Sequence, residues 1–297
     1  MSWRTVVLAK EAKLSLRMNN LVVTNDNVVK IPLVELGILI IENPNIVLTI
    51  HLLNALVANK TTIVICDQTH NPSATITAIY GHHRQSKNIM HQISWTDERK
   101  AILWQKIIQH KIANQAKVLK ALSKEGSGIL EEFVKEVALD DATNREGHAA
   151  KVYFNRLFGN EFTRDEINSQ NAALNYGYAV LHSLIVRTIV SKGYLTELGI
   201  HHINEFNQYN LASDFIEIFR PLVDYIVATS VTTTFEKEQR RQLINVLDEK
   251  VYIRNGEHFL SQVVQIFIEQ CIQFLNQGEE EKLLFPHLVF KKQLVLE

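Results

Sequence analysis

Over Asn210–Ser230 the apolar residues Leu211, Phe215, Ile216, Ile218, Phe219, Leu222 and Val223 stand against Asp214, Glu217, Arg220 and Asp224. Those four fall at i, i+3, i+6 and i+10, one polar stripe on a helical period. Carboxylates at i and i+3 repel each other, by a few kcal/mol when close and partly buried at an effective dielectric near ~20. A divalent cation would turn that cost into a site. A solvated stripe with Arg220 as counter-charge would relieve it equally well. Upstream, Gly199-Ile200-His201-His202 offers a histidine in a loop at the head of this helix. Farther back, Arg145-Glu146-Gly147-His148 opens a helix whose Ala149, Ala150, Val152 and Phe154 suggest a buried face. An acid in a first turn suits the helix dipole, which is reason enough for Glu146. A glutamate, a histidine and a glutamate converging from three elements would instead form a hard oxygen–nitrogen site suited to Mg²⁺ or Mn²⁺.

Other machinery is missing. No G-x-x-x-x-G-K-[ST] loop, H-E-x-x-H, G-x-S-x-G or helix-opening G-x-G-x-x-G occurs. Gly126-Ser127-Gly128 reads as a turn. The pairs His82-His83 and His201-His202 are not spaced as two ligands on one helix face, so a metal would take one imidazole from a pair. Cys66 ends a predicted strand and reads as core, and with only Cys271 besides it there is no disulfide framework or zinc cluster. The N-terminus has no apolar core of a signal peptide, and no run of 18 apolar residues occurs, Ala179–Val190 being interrupted by His182, Ser183 and Arg187. These features lead us to expect a soluble, cytoplasmic protein.

The elements that must position these residues come in two grammars. Val, Ile and Thr make up 28 of the first 80 residues, the β-branched excess of strands. Strands are predicted over 5–8, 13–17, 21–24, 28–31 and 61–66, with turns at Asn19-Asn20 and Asn25-Asp26-Asn27 and a short helix over 51–59. From about residue 81 no proline occurs until Pro221, and helical periods dominate. Helices are predicted near 95–123, 128–139, 144–158, 168–192, 210–230, 236–249 and 257–277, with Asn171–Val190 apolar on all sides and therefore central. The expected fold is α+β: a β-rich, sandwich-like N-terminal domain over 1–80, then a larger all-α domain over 81–297.

The net charge of −1 hides segregation. Residues 1–80 sum to +1, 81–124 to +7 (nine basic against two acidic), 125–146 to −5 and the remainder to −4. The +7 segment could hold a phosphate backbone, could be a solvated helix face, or could complement its acidic neighbour.

Several blocks together resemble the CRISPR-associated integrase family, the catalytic subunit of spacer acquisition, most closely its type II form. They are Trp3-Arg4-Thr5-Val6-Val7; His83-Arg84-Gln85-Ser86, Gln92-Ile93-Ser94-Trp95, Leu103-Trp104 and Lys111-Ile112-Ala113-Asn114-Gln115; Arg145 through Phe154 with Phe158-Gly159; and Tyr209 through Pro221 with Asp224. They span nearly the whole chain. The resemblance implies a divalent-metal site at Glu146, His202 and Glu217, with Asp214 a nearby second acid and His201 the competing histidine. Ile218 stands where the family's E-P-F-R block usually has proline, a change of local rigidity that removes no ligand.

The implied reaction is transesterification: a 3′-OH of a short DNA fragment attacks a phosphodiester at the border of a CRISPR repeat, with Mg²⁺ or Mn²⁺ and without ATP. Arg84 and Lys87 lead the residues expected to track DNA, followed by Arg99, Lys100, Lys111, Arg145 and Arg220. Implied partners are double-stranded DNA, a second copy in a homodimer formed through the N-terminal domain, and a small ferredoxin-like adaptation protein completing a heterohexamer. In type II systems the effector nuclease and a DNA-end-binding accessory protein join them, in the bacterial cytoplasm. A catalytically silent DNA-binding scaffold and a branched-DNA nuclease that does not integrate are the alternatives.

Overall fold

The computed structural model describes residues 4–68, 72–76, 78–79, 82–231, 234–254 and 256–290. Trp3 of the first family block and the last part of the chain, 291–297, lie outside them. Two compact units emerge, one of residues 1–88 with 183–194, the other of 89–182 with 195–297.

The first unit holds β1 (Arg4–Leu8), β2 (Lys13–Arg17), β3 (Asn20–Thr24), β4 (Val28–Pro32), β5 (Leu36–Ile41), β6 (Val47–Leu48), α1 (Ile50–Ala58), β7 (Thr62–Cys66) and β8 (Pro72–Ile76). One sheet has the order β1-β5-β7-β8 and the other β4-β3-β2-β6. Leu8, Leu36, Leu39 and Ile63 of the first sheet share a core with Leu14, Leu21, Val23 and Ile31 of the second and with Leu52 and Leu56 of α1. The β2–β3 hairpin turns on Met18 and Asn19, both at positive φ (46° and 57°), with Arg17 paired to Asn20. That is the conformation a two-residue hairpin demands. Strand β5 was not among the predicted strands. It lies between parallel β1 and β7, buried at every residue, so its Leu-Gly-Ile-Leu-Ile-Ile shows no alternation to read.

The second unit is helical. The helices that follow are α2 (Gln85–Ile93), α3 (Asp97–Ala121), α4 (Ser127–Glu136), α5 (Arg145–Phe158), α6 (Ser169–Ser191), α7 (Asn210–Ile216), α8 (Arg220–Ser230), α9 (Lys237–Asn245) and α10 (Leu260–Gln277), with a hairpin of β9 (Lys250–Ile253) and β10 (Gly256–Phe259) before α10. Helix α3 is its axis, packed by α4, α5, α8 and α10. It starts where Thr96 Oγ1 accepts the Arg99 amide at 3.3 Å, and it buries Leu103, Trp104, Ile107, Ile108, Ile112 and Leu119. The predicted helix over 210–230 is two: Pro221, which has no N–H to continue the ladder, opens α8, and the chain breaks between Ile216 and Arg220. Among the described residues no helix is long and apolar enough to cross a membrane.

Candidate metal centre

Glu146 enters the site from the first turn of α5. Asp140, Asp141 and Asn144 ahead of it all adopt positive φ, between 48° and 56°, which Asp and Asn tolerate better than other residues with a Cβ. The tight approach lets Asp141 accept the amides of Arg145 (2.8 Å) and Glu146 (3.0 Å), while Asn144 Oδ1 accepts that of Gly147 at 3.2 Å. These are the amides a helix start leaves without partners. They fix the backbone of Glu146, leaving its side chain free to reach inward.

The histidines come from the loop after α6, folded around one carboxylate. Asp214 in α7 is completely buried. Its Oδ2 accepts the Ile200 amide at 2.6 Å and the His201 amide at 3.4 Å, and its Oδ1 accepts the His202 amide at 3.0 Å. His202 Nδ1 lies 2.6 Å from the same Oδ1. The second acid of the stripe is thus turned into the loop and spent on its backbone. This hydrogen bond, with further help from Asp214, Glu217 and Glu146 against burial, raises the His202 pKa above its ordinary value. His201 goes elsewhere: its Nδ1 is 3.0 Å from Asp140, and its ring stacks on Trp104 at 4.2 Å. A Cβ on Gly199 would stand 2.7 Å from Asp214 Oδ2, so only glycine lets the loop close on that carboxylate. Gly199→Ala is expected to cost about 1–3 kcal/mol as an overpacked contact, read as a lower midpoint in urea.

Glu217 sits at the break between α7 and α8, 5% exposed. Its Oε1 accepts Arg220 Nε at 2.8 Å, and its Oε2 accepts the ammonium of Lys111 from α3. The same ammonium lies 2.5 Å from Glu146 Oε1. One cation therefore joins the two glutamates. Burial alone would push the Glu217 carboxyl up, but Arg220 and Lys111 outweigh it and hold it at about 2. Burial likewise opposes the charge on Lys111, and Glu217 and Glu146 overcome it, so its pKa is raised. The Arg220 guanidinium lies 4.5 Å over the Tyr178 ring, whose hydroxyl donates to buried Asp224. Burial pushes Asp224 up to about 6. A cavity of about 190 Å³ opens on this cluster, lined by Lys111, Gln115, Glu146, Arg164, Glu217 and Arg220 among others.

Among the described residues no three His, Cys, Asp or Glu side chains already surround one point at ligating distance. The donor set nevertheless fits a hard divalent ion. Two carboxylates share one cation position, and Asp214 engages Nδ1 of His202, leaving Nε2 as that ring's remaining donor.

The basic residues scatter. Arg84 and Lys87 are exposed in the first unit. In the second, Arg99 donates to the carbonyls of Leu275 and Asn276, Lys100 pairs with Asp97, and Arg145 pairs with Glu136 over the Phe133 ring. Lys111 is buried within the carboxylate cluster, and Arg220, partly exposed, pairs there with Glu217 and lines the cavity. Sequence reasoning missed this role for Lys111. Trp104, Ile108, Lys111 and Gln115 recur at spacings of four, three and four, all on the buried face of α3, and that periodicity carried the signal.

A strand-rich region followed by a helical domain is a fold shared with several solved structures. The structure of a casposase bound to integration product matches with a TM-score of 0.76 at 19% identity, over 94% of this chain and 92% of that one. A Cas6-RT-Cas1–Cas2 complex matches with a TM-score of 0.74 at 20% identity, over 99% of this chain and 36% of that one. The family model for CRISPR associated protein Cas1 matches residues 5–255, and the CRISPR-associated endonuclease Cas1 of Neisseria meningitidis serogroup C (strain 8013) is 39% identical over 229 residues, 76% of this chain and 75% of that protein. The chain belongs to the Cas1 family.

Proposed function

We propose that this chain is a divalent-metal-dependent DNA integrase of CRISPR adaptation, with Glu146, His202 and Glu217 as ligands of Mg²⁺ or Mn²⁺. The observation that carries this reading is the meeting of Glu146 and Glu217, from α5 and the α7–α8 break, on one cation. The His202 ring, its Nδ1 engaged by Asp214, lies within the field of both carboxylates. The bound ion would supply Lewis-acid polarisation of the attacked phosphate and offset charge on the phosphorane-like transition state. The chain's own residues do the positioning. Asp141 fixes the backbone that presents Glu146, Asp214 orients the His202 ring, and Arg220 keeps Glu217 ionised.

The family membership, the casposase bound to integration product and the Cas1–Cas2 complex support double-stranded DNA and a Cas2-type small protein as partners. A homodimer formed through the strand-rich domain, assembled with that protein as a heterohexamer, is the assembly this reading adopts. The type II effector nuclease and an end-binding accessory protein extend it. The test is joining of a 3′-OH DNA fragment to a repeat-bearing plasmid with the small partner supplied. Product is expected with Mn²⁺ or Mg²⁺ and none with EDTA or with a dideoxy-terminated fragment. Cleavage of branched DNA without joining would favour the nuclease reading, and binding without either would favour the scaffold. Arg84 and Lys87 are exposed and carry a separate prediction. Neutralising both lowers the slope of log affinity against log salt by about two, one phosphate each, and an unchanged slope would route the DNA elsewhere.

A further inference from the structure

We propose that Lys111 is an internal counter-cation that holds Glu146 and Glu217 together in the metal-free protein and yields to the entering divalent ion by passing its ammonium to the amide oxygen of Gln115. The inference rests on the metal reading above. Lys111 is 6% exposed, and its ammonium takes one oxygen from each glutamate. An ammonium and a divalent ion cannot share both oxygens, because like charges a few ångströms apart in a partly dry site repel strongly. Metal loading at this position is therefore an exchange of cations. Arg220 makes the exchange local: it holds the other oxygen of Glu217 at 2.8 Å, so the carboxylate keeps its orientation when the ammonium leaves.

The destination is set by a second, independent observation. Gln115 is 2% exposed and lines the same cavity, yet its Oε1 has no hydrogen-bond partner among the described residues. A buried acceptor left unpaired is uncommon and calls for a reason. Gln115 follows Lys111 by one helical turn, and side chains at i and i+4 are neighbours with Cβ atoms about 5–6 Å apart. A flexible four-carbon stem with three rotatable donors spans that distance. The unpaired oxygen of the metal-free state is then the seat of the displaced ammonium in the loaded state. Lys111 and Gln115 are positioning residues for the metal, outside its ligand set.

The two residues make opposite predictions for Mn²⁺ affinity, measured by titration calorimetry on the full chain, with thermal denaturation in EDTA alongside. Lys111→Met is expected to bind Mn²⁺ at least about tenfold more tightly, since a competing charge is gone. It should melt lower in EDTA and recover when Mn²⁺ saturates the site. Gln115→Leu is expected to bind about tenfold more weakly, the scale seen when an outer partner of a metal site is removed, and not to melt lower in EDTA. Lys111→Gln, which removes the charge but keeps a donor, takes the place of Lys111→Met should that variant not fold. Gln115→Leu breaks no existing bond and carries the test by itself. Unchanged affinity in Gln115→Leu, or weaker binding in Lys111→Met, would overturn the proposal. Failure of the parent chain to bind Mn²⁺ would instead overturn the metal reading beneath it.

Discussion

Glu217→Gln is expected to lower strand joining by about a hundred- to a thousandfold, the scale on which a single group stabilising transition-state charge acts. The substitution preserves shape and removes one charge. It leaves buried Lys111 with Glu146 as its one carboxylate partner and takes the carboxylate from Arg220, so the position becomes net positive and repels a divalent ion. Stability should respond with a definite sign in metal-free buffer. The Glu217 carboxyl is held at about 2 against an ordinary 4.5, so its contribution is present above the ordinary value and is lost as pH falls toward 2. A shift of that size corresponds to at most about 3 kcal/mol. Glu217→Gln should therefore be less stable than the parent at pH 7, with the gap closing progressively as pH falls from about 5 toward 2. Joining at the parental rate would remove Glu217 from the site. A gap that does not change with pH would contradict the ion-pair account.

Asp214→Ala should have the second-largest effect, although Asp214 sits behind the proposed ligands. It is fully buried and accepts the amides of Ile200, His201 and His202, and His202 Nδ1 lies 2.6 Å from its Oδ1. Its removal leaves three amides and an imidazole without their acceptor. The expected cost is about 3–5 kcal/mol, as for breaking other buried charged networks from one side. Mn²⁺ affinity should fall by about 10- to 100-fold, because the ring that offers Nε2 is no longer oriented. Asp214→Asn, which keeps an acceptor but not the charge, should lie between. It should also lower the His202 pKa, since the hydrogen bond to Asp214 is the leading reason that value is raised. The sign follows: stabilisation from this pair is complete below the ordinary histidine value of 6.5 and fades as pH rises through the raised one. Histidine titration by NMR reads the shift directly.

Much of the site was legible because its residues obey local rules. Glu146 stands in the first turn of a helix read over 144–158, and Gly199 and the histidines lie in a loop just ahead of an apolar helix. What was hidden depends on packing across distance. Read as one helix, 210–230 puts Asp214 and Glu217 on one stripe, but Pro221 breaks it and sends the two carboxylates to different tasks, one to the histidine loop and one to Lys111. Lys111 looked like one of nine basic residues on a positive segment. Its burial follows from the helices that pack α3, which charge counting does not sense. In the strand-rich unit β2 was read from its alternation, whereas β5, covered on both faces, has none. The β9–β10 hairpin was passed over because its strands are only four residues each and sit between helices.

Glu146 and Glu217 share one cation position, with His202 the proposed third ligand. Anomalous scattering from crystals of the full chain soaked in Mn²⁺ tests it most directly. A single strong peak ligated by Glu146, His202 and Glu217, with the Lys111 ammonium withdrawn from between the glutamates, is the predicted result. A peak elsewhere, or Lys111 still bridging the two carboxylates at saturating Mn²⁺, would contradict it.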